Sequence, residues 1–140
     1  MNSSYTFQLL RLEGDFTMSA QHIHFFFQLR EQLKLYHWQT YLFARHKATD
    51  DVIKSLDEHI DLFVEVYMGK YGRPSITRTT NVVQIKNMTE KTAIKFVKDC
   101  LAHLTGAFTK SIKAMDTDLL NIKDEMVAEL HKLLYLFTLK

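Results

Sequence analysis

Residues 45–65 read RHKATDDVIKSLDEHIDLFVE, and their pattern predicts a long amphipathic helix. The apolar side chains recur every three or four positions, which places them on one face of a helix with about 3.6 residues per turn. They are Val52, Leu56, Ile60, Phe63 and, just beyond the stretch, Tyr67. We expect this helix to run from about Leu42 to Met68. The run GKYGRP at 69–74 then ends it, because glycine and proline favour termination.

The composition favours the same structure for the rest of the chain. Its 140 residues include four glycines and one proline, so few residues interrupt a helix. A chain of this length supports a single core, and residues 1–140 are therefore predicted to form one domain. The single cysteine, Cys100, has no partner for an intrachain disulfide. It falls on an apolar helical face, which predicts a core position.

An N-terminal helix is predicted before this stretch. It starts near Thr17 or Ser19, either of which could cap it, and it ends near Thr40. Residues 1–15 are weakly patterned and are expected to form a short arm that Gly14 closes.

Two more helices are predicted after it. Residues 75–88 are rich in β-branched side chains, and we expect a loop there with some extended character. A third helix should run from Thr89 to about Met115. The run DTD at 116–118 should break it and cap a fourth helix that reaches the C-terminus. The predicted fold class is therefore all-α, as a four-helix bundle.

A second pattern lies on the polar face of the helix that carries residues 45–65. His46 is followed four, fifteen and nineteen residues later by the acids Asp50, Asp61 and Glu65. At about 100° per residue, these four side chains fall within an arc of roughly 100° and share one stripe. Imidazole and carboxylate groups are ligands of iron, manganese and zinc, so the stripe is a candidate metal site.

The two ends of this stripe are separated by about three helical turns, or roughly 16 Å, so no single metal ion spans them. Either the two ends serve different sites, or one end meets the opposite end of a symmetry-related helix. If two copies of the helix pack antiparallel about a two-fold axis, the His46 end of one lies beside the Glu65 end of the other, and two equal sites form. A solvated polar face explains the same residues without a metal, and it is the commoner origin of such a pattern. The spacing leaves both interpretations open.

His37 adds to the first interpretation. It lies in the run YHW near the end of the first helix, nine residues before His46, where a chain reversal could bring the two imidazoles to a common centre. A histidine near a helix end is otherwise more often a cap or a hydrogen-bonded core group. Together with the stripe, it becomes a candidate fifth ligand.

These motifs together resemble those of the Dps proteins, the mini-ferritins of the ferritin-like superfamily. The shared features are an HW pair that ends the first helix, the pattern H-x3-D-x10-D-x3-E on the second, and a G-x-x-G-x-P stop. In this sequence they begin at His37, His46 and Gly69 respectively. The resemblance covers residues 20–75 well and the last two helices only in length and amphipathicity. It implies the ferritin-like form of the four-helix bundle.

The resemblance also implies an iron site between two subunits. One subunit would supply His37, His46 and Asp50 as ligands. Its neighbour would supply Asp61 and Glu65. The family oxidises Fe(II), usually with hydrogen peroxide in preference to oxygen, and stores the ferric product inside a hollow dodecamer. We therefore expect a ferroxidase and iron-storage protein with a di-iron site, able to take other divalent metals. It should form at least a homodimer, and the resemblance allows a dodecamer.

The remaining aromatic and histidine residues have simpler predicted roles. Trp38 would be an electron donor or packing partner in the family, or else an aromatic anchor for the helix end. His22 and His24 lie two residues apart and point in different directions on a helix, so we expect them at the surface or the bundle edge. His103 is expected to be a hydrogen-bonded histidine within the bundle.

Charge and hydropathy limit the kinds of partner that we expect for this chain. A net charge of +2 does not by itself imply a nucleic-acid partner. Residues 68–98 hold seven Lys or Arg against one acid, which leaves a weak contact with DNA open. No signal peptide or membrane span is predicted, so we expect a cytoplasmic protein. The alternative function is a non-enzymatic helical oligomeric module that acts in binding or structure.

Overall fold

The computed structural model describes residues 15–140, which form four long helices. These are α1 (Asp15–Gln39), α2 (Phe43–Tyr71), α3 (Glu90–His103) and α4 (Thr117–Leu136). A π-helical segment, Leu104–Phe108, and a short turn, Thr109–Ser111, continue α3. Residues 15–140 contain no β-strand, so the all-α prediction is confirmed. The arm predicted for residues 1–15 lies, apart from Asp15, outside the described residues.

Contacts at the two ends of the molecule define the chain path. We call the end of the molecule that holds the α1–α2 turn the upper end, and the opposite end the lower end. At the upper end, Glu90 at the start of α3 accepts hydrogen bonds from Tyr36 and Thr40 at the end of α1. At the lower end, Tyr71 at the end of α2 donates to Asp116, just before α4. The helices α1 and α2 form an antiparallel hairpin. Because α3 starts at the upper end, it runs parallel to α2, and α4 returns in the opposite direction.

The segment between α2 and α3, residues 72–89, lies along α1 from the lower end to the upper end. The Nε2 atom of His24 donates to the carbonyl of Val82 at 2.8 Å. Farther along, the side-chain amide of Gln32 donates to the carbonyl of Lys86 at 2.7 Å and accepts from its N–H at 2.9 Å. Four extended residues cover about 13 Å, close to the 12 Å of eight helical residues, so the two segments stay in step. The predicted loop is confirmed, and the spacing of these contacts indicates an extended course from Val82 to Lys86.

The helices pack in a ring around one apolar core. The helix α2 packs against α1 and α4, and α3 packs against the other faces of α1 and α4. The largest fully buried side chains come from all four helices and from the π-helical segment, and they include Tyr36, Phe26, Phe63, Phe96, Phe108, Met126 and Leu130. Cys100 is fully buried, as predicted, and this burial raises the pKa of its thiol well above the ordinary value. No helix within residues 15–140 is long and apolar enough to cross a lipid bilayer.

Two of the predicted helix ends in the first half of the chain are wrong by a few residues. The helix α1 already includes Asp15, the first described residue, so neither Thr17 nor Ser19 begins it. The helix α2 passes through Gly69 and ends at Tyr71. Gly72 stops it with a φ of 90°, and its N–H donates to the carbonyl of Met68 at 2.9 Å. A glycine stops a helix well in this region of φ because it has no Cβ to clash.

The predicted break between the last two helices is also partly wrong. The helical structure ends at Ser111 rather than near Met115, and Ile112 is extended. Asp116 precedes α4, but its side chain does not cap that helix. Instead it accepts a hydrogen bond from Tyr71 and lies 3.4 Å from the ammonium of Lys70. This aspartate therefore ties the end of α2 to the start of α4.

Candidate metal centre

Two histidines meet at the upper end of the molecule. His37 lies in the last turn of α1 and His46 in the first turn of α2, with residues 40–42 between the helices. Their ring centroids are 3.9 Å apart and the ring planes differ by 16°, so the imidazoles are stacked. The predicted chain reversal does bring the two rings together. His37 is buried and His46 is exposed.

Reciprocal hydrogen bonds fix the protonation of this pair. The Nδ1 atom of His37 lies 2.8 Å from the carbonyl oxygen of His46, and the Nδ1 atom of His46 lies 2.8 Å from the carbonyl oxygen of His37. A carbonyl oxygen only accepts, so each Nδ1 carries the hydrogen and donates it. In a neutral ring, the lone pair is then on Nε2. Metal-binding histidines commonly use this arrangement, in which one ring nitrogen donates to a carbonyl and the other is left for the metal.

Thr49 supports the buried ring from the next turn of α2. Its hydroxyl donates to the carbonyl of Arg45 at 2.7 Å and lies 3.0 Å from Nδ1 of His37, where its lone pair accepts. Burial lowers the pKa of His37 below its ordinary value. The imidazole is therefore held neutral and in one orientation, and only a neutral imidazole can bind a metal ion.

Asp50 follows one turn after His46 on the same face of α2. Its carboxylate lies 3.3 Å from the ammonium of Lys54. The hydrogen bond from Lys54 lowers the pKa of Asp50, and the charge of the Lys54 ammonium lowers it further. Asp50 is thus an ionised oxygen donor close to the histidine pair, with a lysine ammonium as its present counter-charge.

The remaining two predicted ligands form a separate pair near the lower end of α2. Asp61 and Glu65 lie one turn apart and are both exposed. A hydrogen bond between the two side chains raises the pKa of Glu65, and the charge of Asp61 raises it further. Two carboxylates one turn apart repel each other, and a cation bound between them would relieve that repulsion.

The structure thus places the five predicted ligands at two heights along α2, and of these side chains the two imidazoles are in direct ring contact. His37, His46 and Asp50 form the upper group, and Asp61 and Glu65 form the lower group. About 16 Å of helix separates Asp50 from Asp61. Among residues 15–140, no three His, Cys, Asp or Glu side chains of the single chain converge to hold a metal ion. A complete site would take ligands from both groups, which within one chain are too far apart.

A buried polar network behind the histidine pair positions it. Arg45 donates to the hydroxyl of Tyr36 at 2.9 Å and to the carbonyl of Glu90 at 2.7 Å. Its guanidinium also lies 4.6 Å from the ring centroid of Phe137, at the end of α4. The residues beside both histidines are therefore tied to α3 and α4. Sequence reasoning missed this network, although an arginine on the apolar face of α2 was a usable signal.

A family comparison places this chain among known sequences. The model of a family of unknown function, DUF5856, matches residues 37–137. The chain belongs to the DUF5856 family. The matched segment starts at His37, so it includes all five predicted ligands. Searches of the curated proteins and of the solved structures found no match.

An exposed aromatic corner adjoins the histidines of the DUF5856 segment. Trp38 is 66% exposed, Tyr41 95% and Phe43 77%. Because its ring is exposed, Trp38 does not anchor the end of α1 in the core. The ammonium of Lys34 lies 5.3 Å from the centroid of this ring. Large aromatic side chains grouped at the surface are typical of protein contacts.

A second histidine pair lies inside the bundle. The expected surface position of His22 is wrong, because it is 3% exposed and packs against Phe108, with ring centroids 4.5 Å apart. Burial, and secondarily the nearby His103, lower the pKa of His22 to about 3. Its Nδ1 atom has no hydrogen-bond partner within residues 15–140. His103 is buried within the bundle, as predicted, with its ring centroid 4.5 Å from that of Phe25.

Proposed function

We propose that this chain is a Dps-like ferroxidase and iron-storage protein that binds Fe(II) between two subunits. The main support is the histidine pair, whose Nδ1 atoms are both used by carbonyl oxygens and whose Nε2 atoms are left as lone-pair donors. The acid pair Asp61 and Glu65 lies at the other end of the same helix. Only a second copy can bring its acids to these imidazoles.

The connectivity of the helices supports a ferritin-like bundle. Residues 72–89 cross the full length of α1, so α2 and α3 run parallel while the other sequential pairs are antiparallel. A four-helix bundle with one long crossover has the connectivity of ferritin-like folds. The mini-ferritins usually have a short helix in this position, and this chain has a non-helical linker there instead.

The donor set fits iron. Imidazole nitrogen and carboxylate oxygen bind both Fe(II) and Fe(III), and the harder carboxylates favour the ferric ion. Each proposed site has two imidazoles and one carboxylate from one subunit and two carboxylates from the other, enough ligands for two ions. The carbonyl and threonine contacts orient the imidazoles, as outer hydrogen bonds do at metal sites.

Iron is the substrate in this proposal. Two Fe(II) ions each give one electron to one hydrogen peroxide molecule, whose O–O bond breaks. With two protons, the products are two Fe(III) ions and two water molecules. Adjacent ions deliver both electrons together, so no hydroxyl radical is released. Molecular oxygen is the alternative oxidant, and the ferric product would be stored inside an oligomeric shell, a dodecamer in the family that the chain resembles.

Anaerobic Fe(II) loading followed by peroxide tests this function. The ferric absorbance should rise quickly with the wild-type protein and should follow the number of added Fe(II) ions. The double variant Asp61→Ala, Glu65→Ala should lose this protein-dependent rise while keeping its helical circular dichroism. A matched control, Asp51→Ala, Glu125→Ala, removes two exposed acids outside the stripe and should behave as wild type. Equal rates in buffer and in wild-type protein would refute the ferroxidase proposal.

The aromatic corner supports a second candidate function, a helical module that binds a protein without using a metal. Trp38, Tyr41 and Phe43 present a large apolar surface at the α1–α2 turn, and such a surface contributes to a protein contact with or without iron. Under this candidate, Trp38→Ser or Phe43→Ser abolishes oligomer formation while the protein gives no ferric absorbance. The loading experiment therefore separates the two.

A further inference from the structure

The exposed face of α2 carries a stripe with an internal symmetry. We define the pairing stripe as the side chains of Phe43, His46, Asp50, Lys54, Asp57, Asp61, Glu65 and Met68. At about 100° per residue they lie within an arc of roughly 100°. All eight are exposed or partly exposed in the single chain. This inference rests on the proposed function, because it concerns the same two groups of ligands.

A two-fold axis that crosses the stripe midway between Ser55 and Leu56 pairs side chains at equal distances from that point. Next to the axis, Lys54 faces Asp57 of the second copy, which is an attractive pair of charges. At the far ends, Phe43 faces Met68, and both side chains have apolar surface to bury. This register is the one that brings the two ligand groups together. The stripe is therefore largely complementary to itself.

The acidic side chains are the exception to this complementarity. Asp50 faces Asp61 of the second copy, and Glu65 lies one turn away beside His46. Each of the two equal sites therefore collects three carboxylates. In the single chain, Lys54 neutralises Asp50 at 3.3 Å, and Arg30 holds Asp57 at 2.5 Å. In the dimer, the ammonium of Lys54 lies between Asp50 of its own copy and Asp57 of the other copy. The negative charge of the three carboxylates at each site therefore exceeds the positive charge that neutralises it.

We propose that a divalent cation controls whether two copies of this chain pair through α2. Without the cation, the facing carboxylates keep the copies apart. With it, each site holds a cation between the imidazoles and acids of one copy and the acids of the other. The attractive pairs at the centre and the ends of the stripe then hold the dimer in register.

The surface beside the stripe fits a second copy as the partner. Lys34 and Lys47 flank the upper end of this face and Glu58 flanks its lower end, so an antiparallel partner brings opposite charges together beside the stripe. The two lysines offset only part of the acidic charge at each site, so a net negative charge remains for the cation. A groove of about 600 Å³ between α1 and α2 lies beside Asp61 and is lined by Phe27 and other apolar side chains.

Sedimentation velocity with and without a redox-inert cation tests the proposal. Zn²⁺ binds imidazole and carboxylate without changing oxidation state, so it separates assembly from iron oxidation. In EDTA, we expect the wild-type protein to sediment mainly as a monomer. With Zn²⁺ we expect a dimer, with a dissociation constant at least about tenfold lower. The same mass in both conditions, whether monomer or dimer, would overturn cation control.

A charge-neutralised variant gives the sharper test. Asp61→Asn, Glu65→Gln removes the repulsion together with the ligands. It should therefore dimerise more strongly than wild type in EDTA and should not respond to Zn²⁺. The control Asp51→Asn, Glu125→Gln changes the net charge equally outside the stripe and should respond to Zn²⁺ as wild type does. Weaker dimerisation of the Asp61, Glu65 variant in EDTA would contradict the role assigned to the acids.

The outcome is independent of the ferroxidase assay. A Zn²⁺-dependent dimer that gives no ferric absorbance supports cation control and overturns the proposed function. A protein that oxidises Fe(II) as a permanent dimer supports the proposed function and overturns cation control.

Discussion

At the residue scale, the two histidine pairs show how surroundings decide what an imidazole can do. His37 and His46 have their Nδ1 hydrogens bound by carbonyl oxygens. His22 lies among aromatic rings, and its Nδ1 has no partner within the described part of the chain. The first environment orients a neutral ring for a ligand. The second disfavours the charged form of the ring and keeps the ring buried, away from the surface.

Acid should destabilise the protein through His22. Its pKa in the folded protein is about 3, below the ordinary 6.5, so between these values the unfolded chain binds more protons than the folded one. The contribution of His22 to stability is complete above pH 6.5 and is lost as the pH falls towards 3. At about 1.4 kcal/mol per pH unit, the wild-type free energy of unfolding should fall by about 2 kcal/mol between pH 6.5 and 5 on account of this residue.

Urea unfolding at both pH values measures the effect. In His22→Phe the ring still packs among its aromatic neighbours but cannot titrate, so the decrease should be about 2 kcal/mol smaller than in wild type. His131→Phe, a change at an exposed histidine of α4, should keep the wild-type decrease. Parallel losses in wild type and His22→Phe would show that another group carries the pH dependence.

Single residues were predictable where spacing alone fixed their place. The ordered spacing of His46, Asp50, Asp61 and Glu65 placed them on one face of α2, where the structure has them. The two-residue spacing of His22 and His24 carries no information about burial. His22, Phe26, Leu29 and Leu33 recur at helical intervals, and all are buried on one face of α1. That periodicity was the signal for a core position.

At the element scale, the length of α2 depends on which glycine ends it. Gly69 is helical, and a Cβ placed on it would meet no atom within 4 Å. Gly72 has the positive φ and donates to Met68, so it ends the helix three residues later. The extra turn brings Tyr71 and Lys70 to Asp116, which joins α2 to the start of α4.

Alanine at these two glycines should have opposite effects on stability. Gly72→Ala forces a residue with a Cβ into a conformation reserved for glycine, and it should lower the free energy of unfolding by about 1 to 3 kcal/mol. Gly69→Ala removes backbone freedom from the unfolded chain in an open helical position, and it should raise stability by about 0.5 to 1 kcal/mol. Chemical denaturation of both variants tests this. The same sign for both would mean that Gly72 does not end α2 as described.

Element existence was predictable because helical periodicity is a local property. The end of α3 was not, because it depends on a π-helical segment in which the hydroxyl of Thr109 donates to the carbonyl of Leu104 at 2.6 Å. A hydroxyl that donates to a nearby backbone carbonyl in this way leaves no periodic pattern in the sequence. The link between Asp116 and Tyr71 was equally hidden, because it joins residues far apart in the chain.

At the scale of the whole molecule, the linker along α1 determines the connectivity. Its hydrogen bonds to Gln32 and His24 hold a segment that pairs with no strand in the described part of the chain. The sequence predicted an extended loop but not its path, because the partners lie more than fifty residues away. The histidine and acid groups have the same limitation. Their spacing is local, but a site that combines them depends on a second molecule.

The linker should detach from α1 when its amide clamp is removed. Gln32→Leu removes the side-chain amide, so the carbonyl and the N–H of Lys86 each lose their hydrogen bond to residue 32. We expect a loss of about 1 to 3 kcal/mol in stability. Amide hydrogen exchange at Lys86 should become at least about tenfold faster. The control Gln28→Leu, one turn earlier on α1, should leave this exchange unchanged. Unaltered protection at Lys86 in Gln32→Leu would contradict the clamp.

The position of Trp38 has an optical consequence. It is the single tryptophan of the chain, and its ring centroid is 6.5 Å from that of His37. Energy or electron transfer from an excited indole to a bound iron ion at that range competes with emission. The protein therefore has an intrinsic fluorophore beside its proposed centre, and quenching of its emission would follow the arrival of iron without any added dye.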